Sequence, residues 1–146
     1  MPKLHYQIVT PDRVVQEGDA DLVTVMTSMG EITVLPNHIP LLALMRAGEM
    51  RIVNNGEETL LATSTGLFEV RDGSSIVVLA DTAERSEELE LEAIEAAKKR
   101  AEDALKNLRN SNDVGFADAA AHLERELARH RVAMKKGKSK QHRTEV

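Results

Sequence analysis

The stretch "VVLADTAERSEELELEAIEAAKKR", residues 77–100, changes character in its middle, and that change decides the fold. Val77 to Ala80 is a short apolar run of the kind that packs as a strand. From Ser86 to about Asn110 the residues are mainly Glu, Ala, Lys and Leu, with no Gly or Pro, which favours helix. Ser86 is placed as an N-cap, and Glu87 and Glu88 follow where the helix dipole favours anions. The boundary near Asp81 therefore divides a β unit over 1–84 from a helical unit that begins at 85.

Upstream of the junction the sequence reads as strands. "LHYQIV" (4–9), "RVVQEG" (13–18), "DLVTVMTS" (21–28), "MRIVNNGEETLLATS" (50–64), "GLFEV" (66–70) and "SSIVVLA" (74–80) are short and rich in Val, Ile and Thr. Turn chemistry separates them at Pro11-Asp12, Glu17-Gly18, Asn54-Asn55-Gly56 and Asp72-Gly73. Asn-Gly and Asp-Gly supply the positive φ angles of tight hairpins. Short strands with such frequent turns predict an antiparallel β-sandwich or flattened barrel. One stretch resists: in "GEITVLPNHIPLLALMRAGEM", residues 30–50, Pro36 and Pro40 bracket Asn37-His38-Ile39. Each proline fixes its φ and withholds a donor, so this is a stiff elbow. A metal site, a catalytic site and a docking surface are its candidate roles.

Downstream, Ile94, Ala97, Ala101, Leu105 and Leu108 form one stripe at helical spacing. "NSNDVG" (110–115) interrupts the helix, and a second starts near Asp113 or Val114 with the stripe Phe116, Ala120, Leu123, Leu127, His130 and Met134. So short a link predicts an antiparallel two-helix hairpin over 85–136. The remaining residues, 137–146, lack apolar periodicity and are expected to form a disordered basic tail. The first stripe is mostly alanine, whose methyl buries far less surface than leucine at about 25 cal/mol per Å2. A seam this thin predicts a marginal, movable hairpin that leans on the sandwich or on a partner.

Composition narrows the chemistry. With no cysteine in 146 residues, disulfides, thiol nucleophiles and thiolate metal sites are absent. No apolar run approaches the length of a membrane span, and "MPKLHYQIV" lacks the order of a signal peptide, so a soluble chain in or facing the cytosol is expected. Residues 1–84 hold 5 cationic and 12 anionic side chains, whereas from 111 onward the count is 8 against 5. That division argues against nucleic-acid binding by the body and leaves the C-terminal part able to meet an acidic surface.

His38 has no ligand-spaced companion among His5, His122, His130 and His142, so a surface or partner-contact histidine is the better reading than a metal site. No glycine-rich loop has phosphate-cradle spacing and no Ser lies in a G-x-S-x-G elbow. The carboxylates of "SEELELE" (86–92) read as a solvated helix start. Arg125, Arg129 and Arg131, with Lys135 and Lys136, cluster toward the end of the second helix, either as a solvated face or as a docking face for an acidic partner.

"GEITVLPNHIPLLALMRAGEMRI", "GLFEV" and "VVLADTAERSEELELEAIEAAKKRAEDAL" together resemble the epsilon-subunit family of rotary F-type ATP synthases over residues 2–136. The resemblance implies a β-sandwich followed by a helical hairpin, and no catalysis, cofactor or metal of the chain's own. It implies a central-stalk subunit that couples ion translocation to ATP synthesis, peripheral at the cytoplasmic face of the cell inner membrane. Ser28, Met29, Gly30 and Glu31 would touch the ring of c subunits, and Thr10 and His38 would face the gamma subunit. The hairpin would extend toward the catalytic beta and alpha subunits and impede ATP hydrolysis, with Arg125, Arg129 and Arg131 as candidate contacts. Some members bind ATP through Ile/Leu-Asp-x-x-Arg-Ala. Here Leu89 fits, but Glu90, Ala93 and Ile94 replace the Asp, Arg and Ala, which implies weak or absent ATP binding. The alternatives are a stand-alone adaptor and an ATP-sensing module.

Overall fold

A computed structural model of the chain describes residues 1–108 and 114–144, the side chains of 114 and 137–144 excepted. The strands are β1 (Leu4–Val9), β2 (Val14–Ala20), β3 (Leu22–Thr27), β4 (Gly30–Val34), β5 (Leu41–Met45), β6 (Gly48–Asn54), β7 (Glu57–Thr63), β8 (Gly66–Arg71), β9 (Ser75–Ala80) and β10 (Ala83–Arg85). A 3-10 turn (Ser86–Glu88) leads to helices α1 (Leu91–Asn107) and α2 (Val114–Thr144). Strand order is β10-β7-β6-β3-β5-β8-β9-β1-β2, with β4 hydrogen-bonded to β3. Pairing is antiparallel except between β1 and β9. The link from β3 to β5 is a single pair, Thr27 with Met45, so the sheet turns a corner there. It folds over a core of Leu4, Ile8, Val23, Val25, Met50, Leu61, Phe68 and Ile76.

Alternation explains that core. In β6, Gly48, Met50 and Ile52 point inward, while β1 buries Leu4, Tyr6 and Ile8. The β6–β7 turn has Asn55 at φ 52° and Gly56 at φ 81°, as a tight hairpin demands. Asp72 and Gly73 adopt the same left-handed region between β8 and β9. Glu17-Gly18, expected to turn, instead lies inside β2 opposite Gln7 and Tyr6. The Tyr6 hydroxyl lies 3.4 Å from where a Cβ on Gly18 would stand, an ordinary contact across the pair. The apolar runs on either side of the elbow are themselves strands, β4 and β5.

The helical half departs from expectation at its boundaries. Ser86 opens the 3-10 turn and does not cap α1, whose N-cap is Glu90. The break at Leu89 and Glu90 lets the Leu89 side chain bury among Ile94, Val132, Ala133, Ala62 and Leu60. In α1 the expected stripe holds: Ile94 and Ala101 are buried, and Ala97, Leu105 and Leu108 are half-buried. In α2 the middle of the stripe (Ala120, Leu123, Leu127, His130) is half-buried, but Phe116 and Met134 are exposed. Glu126, Ala128, Val132 and Ala133 are the buried positions. The reason is that α2 meets both α1 and the outer face of β6 and β7, so its covered arc is wider than one stripe. Ile94 packs with Val132, and His130 faces Glu95 at 3.8 Å, in an antiparallel hairpin. Of the break expected over 110–115, residues 110–113 lie outside the described residues, and Val114 and Gly115 already belong to α2. The backbone of α2 runs helically to Thr144 through most of the expected disordered tail. Lys, Gln and Arg are good helix formers, and extending an established helix needs no new nucleus.

Candidate functional site

The elbow is built from a turn. The His38 amide donates to the Leu35 carbonyl at 3.2 Å, which closes a four-residue turn with Pro36 second and Asn37 third. Asn37 takes φ 67°, the positive value that a type II turn requires at its third position. The Asn37 amide donates to the Gly73 carbonyl at 2.7 Å, which pins the elbow to the β8–β9 turn. A Cβ on Gly73 would stand 3.2 Å from the Asn37 backbone, so glycine permits this close approach. The His38 Nδ1 donates to the Ile39 carbonyl at 2.7 Å, and the ring is half-buried. Leu35 and Ile39 point outward, the latter 74% exposed.

The elbow borders an apolar sheet face that the sequence reading missed. Leu44 pairs with Leu67, Leu67 with Leu79, Leu79 with Val9, and Val9 with Val14. Directly paired residues share a face, so these five form one row across β5, β8, β9, β1 and β2. Leu44 is 62% exposed and Leu79 48%, and Leu42 beside the row is 67% exposed. The signal was present: "LLALM" and "SIVVLA" are apolar at both parities, the mark of a strand covered on both sides.

The remaining expected contacts lie at one end of this face. Ser28, Met29, Gly30 and Glu31 form the exposed β3–β4 tip, held by Thr27 Oγ1 donating to the Gly30 carbonyl at 2.7 Å. The Ser28 amide donates to the Leu44 carbonyl at 2.9 Å, which ties the tip to β5. Thr10, at the end of β1, is half-buried beside Leu79 and bonds through its amide to the Arg13 carbonyl at 2.9 Å. Thr10 follows β1 just beyond the row, whereas His38 precedes β5 beside the β8–β9 turn, at the other end of the strands; the fold does not bring them together.

The three arginines of α2 have different surroundings. Arg129 reaches β10, donating through Nε to Glu84 at 2.5 Å and through Nη2 at 3.2 Å, while Nη1 meets Glu126 at 2.7 Å. Burial lowers the Arg129 pKa, but hydrogen bonds to Glu126 and Glu84 outweigh it and leave the pKa above the ordinary value. Arg125 bonds His122 at 2.7 Å and stands 3.6 Å from Glu126. Arg131 is exposed and, among the described residues, donates to its own helix at the Leu127 carbonyl. At the degenerate ATP motif, Glu90 and Ala93 are exposed, whereas Leu89 and Ile94 are buried in the apolar seam. Among the described residues no three His, Cys, Asp or Glu are grouped to hold a metal. No described helix is long and apolar enough to cross a membrane.

This architecture matches known proteins. The ATP synthase chain of Euglena gracilis mitochondria, in a complex of OSCP, F1 and c-ring, superposes with a TM-score of 0.71 at 19% identity, covering 85% of this chain and 77% of that one. At that identity the likeness concerns the fold. The ATP synthase epsilon chain of Halalkalibacterium halodurans is 40% identical over 133 residues, 91% of this chain and 98% of that protein. The epsilon chain of Trichlorobacter lovleyi is 44% identical over 133 residues, 91% of this chain and 95% of that protein. Residues 3–86 match the family described as the beta-sandwich domain of the ATP synthase delta/epsilon chain. With the sandwich, the proline elbow and the helical hairpin in that order, the chain belongs to the ATP synthase epsilon-chain family.

Proposed function

We propose that this chain is a non-catalytic central-stalk subunit that fastens the gamma subunit to the c-ring, peripheral at the cytoplasmic face of the cell inner membrane. The observation that carries the reading is the apolar row Leu44, Leu67, Leu79, Val9 and Val14 beside a pinned elbow. A contiguous exposed apolar face marks a partner surface. Elements already locked by Pro36 and by the Asn37 to Gly73 bond lose little entropy on docking, so load passes without an ordering step. Gamma covers this face between Thr10 and His38, and the tip Ser28–Glu31 projects from one end toward polar loops of the ring.

The hairpin provides regulation. It rests on β6 and β7, and when it extends toward the catalytic alpha and beta subunits, Arg125, Arg129 and Arg131 meet acidic residues there and hydrolysis slows. ATP binds weakly or not at all, since Ala93 offers no guanidinium and Arg129 is engaged by Glu84 and Glu126. Submillimolar ATP binding by the isolated chain in calorimetry would overturn that last point.

Leu44→Asp together with Leu79→Asp tests the docking face: the chain should stay folded while its affinity for gamma falls by about 30-fold or more, as for loss of a hot spot. Undiminished binding would sink the reading. Truncation after Arg85 should leave assembly intact and raise ATP hydrolysis by the whole complex. Recovery of the chain free of rotor subunits would favour a stand-alone adaptor.

A further inference from the structure

We infer that Glu84, Arg129 and Glu126 form a latch that holds the hairpin on the sandwich, and that the Arg129 donors released when it opens are those an acidic partner surface captures. The inference rests on the reading that the hairpin can leave the sandwich. Arg129 is the side chain through which α2 grips β10, with both carboxylate oxygens of Glu84 engaged across 45 residues of sequence. Its third donor goes to Glu126, which is only 2% exposed although it carries a carboxylate. A buried carboxylate is tolerated when it is paired and hydrogen-bonded, so Glu126 both requires Arg129 and orients it toward β10. Arg125 lies farther off, at 3.6 Å, and shares itself with His122.

The apolar seam beneath is small: Leu89, Ile94 and Val132, with Leu60 and the alanines Ala62 and Ala133. Among the described residues, the other ion pairs between α2 and the sandwich, Lys135 with Glu49 at 2.7 Å and Arg46 with Glu124 at 3.7 Å, each include a largely exposed side chain and contribute little. In the Arg129–Glu84 pair both side chains are withdrawn from solvent, at 24% and 33% exposure. When the hairpin lifts, Glu84 stays on β10 while Glu126 travels with Arg129, three residues away on the same helix. Nε and Nη2 then lose their acceptors. A carboxylate on a partner takes the same two donors, so docking to Glu84 and capture by the partner exclude each other. The two halves of the latch consequently act with opposite sign on inhibition. Loss of Glu84 frees Arg129 for the partner; loss of Arg129 frees the hairpin but removes what the partner grips.

The chain has no cysteine, so Glu57→Cys with Ala117→Cys gives two unique exposed spin-label sites on the full-length protein. Pulsed dipolar distances then report the ratio of lifted to docked hairpin. Glu84→Gln should raise that ratio by about tenfold, the loss of one charge-assisted bond. Arg129→Gln should raise it more, because the buried Glu126 then loses its hydrogen-bonded partner and keeps only Arg125 at 3.6 Å. The double variant should fall short of the product of the two, as expected for directly coupled residues. Unchanged distances in Glu84→Gln and Arg129→Gln, or effects that multiply independently, overturn the latch. Glu84 is partly exposed on a short edge strand, so its variant remains informative even if Arg129→Gln folds poorly. In the assembled complex, Glu84→Gln should strengthen inhibition of hydrolysis and Arg129→Gln relieve it. If the labels separate while hydrolysis is unmoved in both, the latch stands and the inhibitory reading of the hairpin falls.

Discussion

The sandwich and the hairpin hold themselves together by different means. The sandwich buries Phe68, Leu4, Ile8, Met50, Leu61 and Ile76 almost completely, and its strands close on residues far apart in sequence. The hairpin seats Ile94, Leu89 and Val132 on alanines and adds a charged cluster at one edge. Because stabilisation scales with the apolar area removed from water, the first unit should stand alone while the second should depend on its support. The two cores thus differ in the apolar area that each removes from water.

Phe68→Ala offers the largest way to break this contrast. Removing a fully buried aromatic should cost about 3–5 kcal/mol and take the whole sandwich down in urea denaturation. Ile94→Ala should cost about 2–3 kcal/mol, but locally. Amide exchange should quicken over 91–107 while the sandwich transition stays put; a shared shift would mean the two units are one cooperative body. Gly66→Ala comes next: its Cβ would stand 2.0 Å from the Leu79 carbonyl oxygen, so the β8–β9 pair must spread, at about 1–3 kcal/mol. The smallest effect is the response to acid. A hydrogen bond from Lys3 and one from the Asn55 amide hold the Asp21 pKa below its ordinary value, and Arg71 does the same for Glu69. Such lowered pKa values give stability that is complete above the unfolded value, about pH 4, and is lost as pH falls through the folded one. Asp21→Asn should therefore flatten the sandwich's acid-unfolding profile below about pH 4 without affecting hairpin exchange at neutral pH.

Much of this was legible in the linear chain. Asn55-Gly56 and Asp72-Gly73 announced their turns through residue types that tolerate positive φ, and Pro36 announced the elbow. Where the chain misled, a neighbour in space had intervened. Ser86 has the chemistry of a cap, yet Leu89 needed burial against Val132, and the helix starts only after that side chain is placed. Phe116 and Met134 have the right spacing for the α2 seam, but the surfaces α2 meets cover Ala128, Val132 and Ala133 instead. Three-residue β10 is too short to carry any period and exists because β7 offers an edge.

Readable along the chain alone were a β unit followed by a helical one (β10 takes in Arg85), most of the turns, the stiff elbow and the poverty of the helical seam. All four follow from local chemistry, since φ preference, helix propensity and side-chain size act within a few residues. Only the tertiary structure decided that Leu44, Leu67, Leu79, Val9 and Val14 stand in one row and that Arg129 closes on Glu84. Strand register and the partner of a buried charge depend on which segments meet in space, and that is set by closure of the core as a whole.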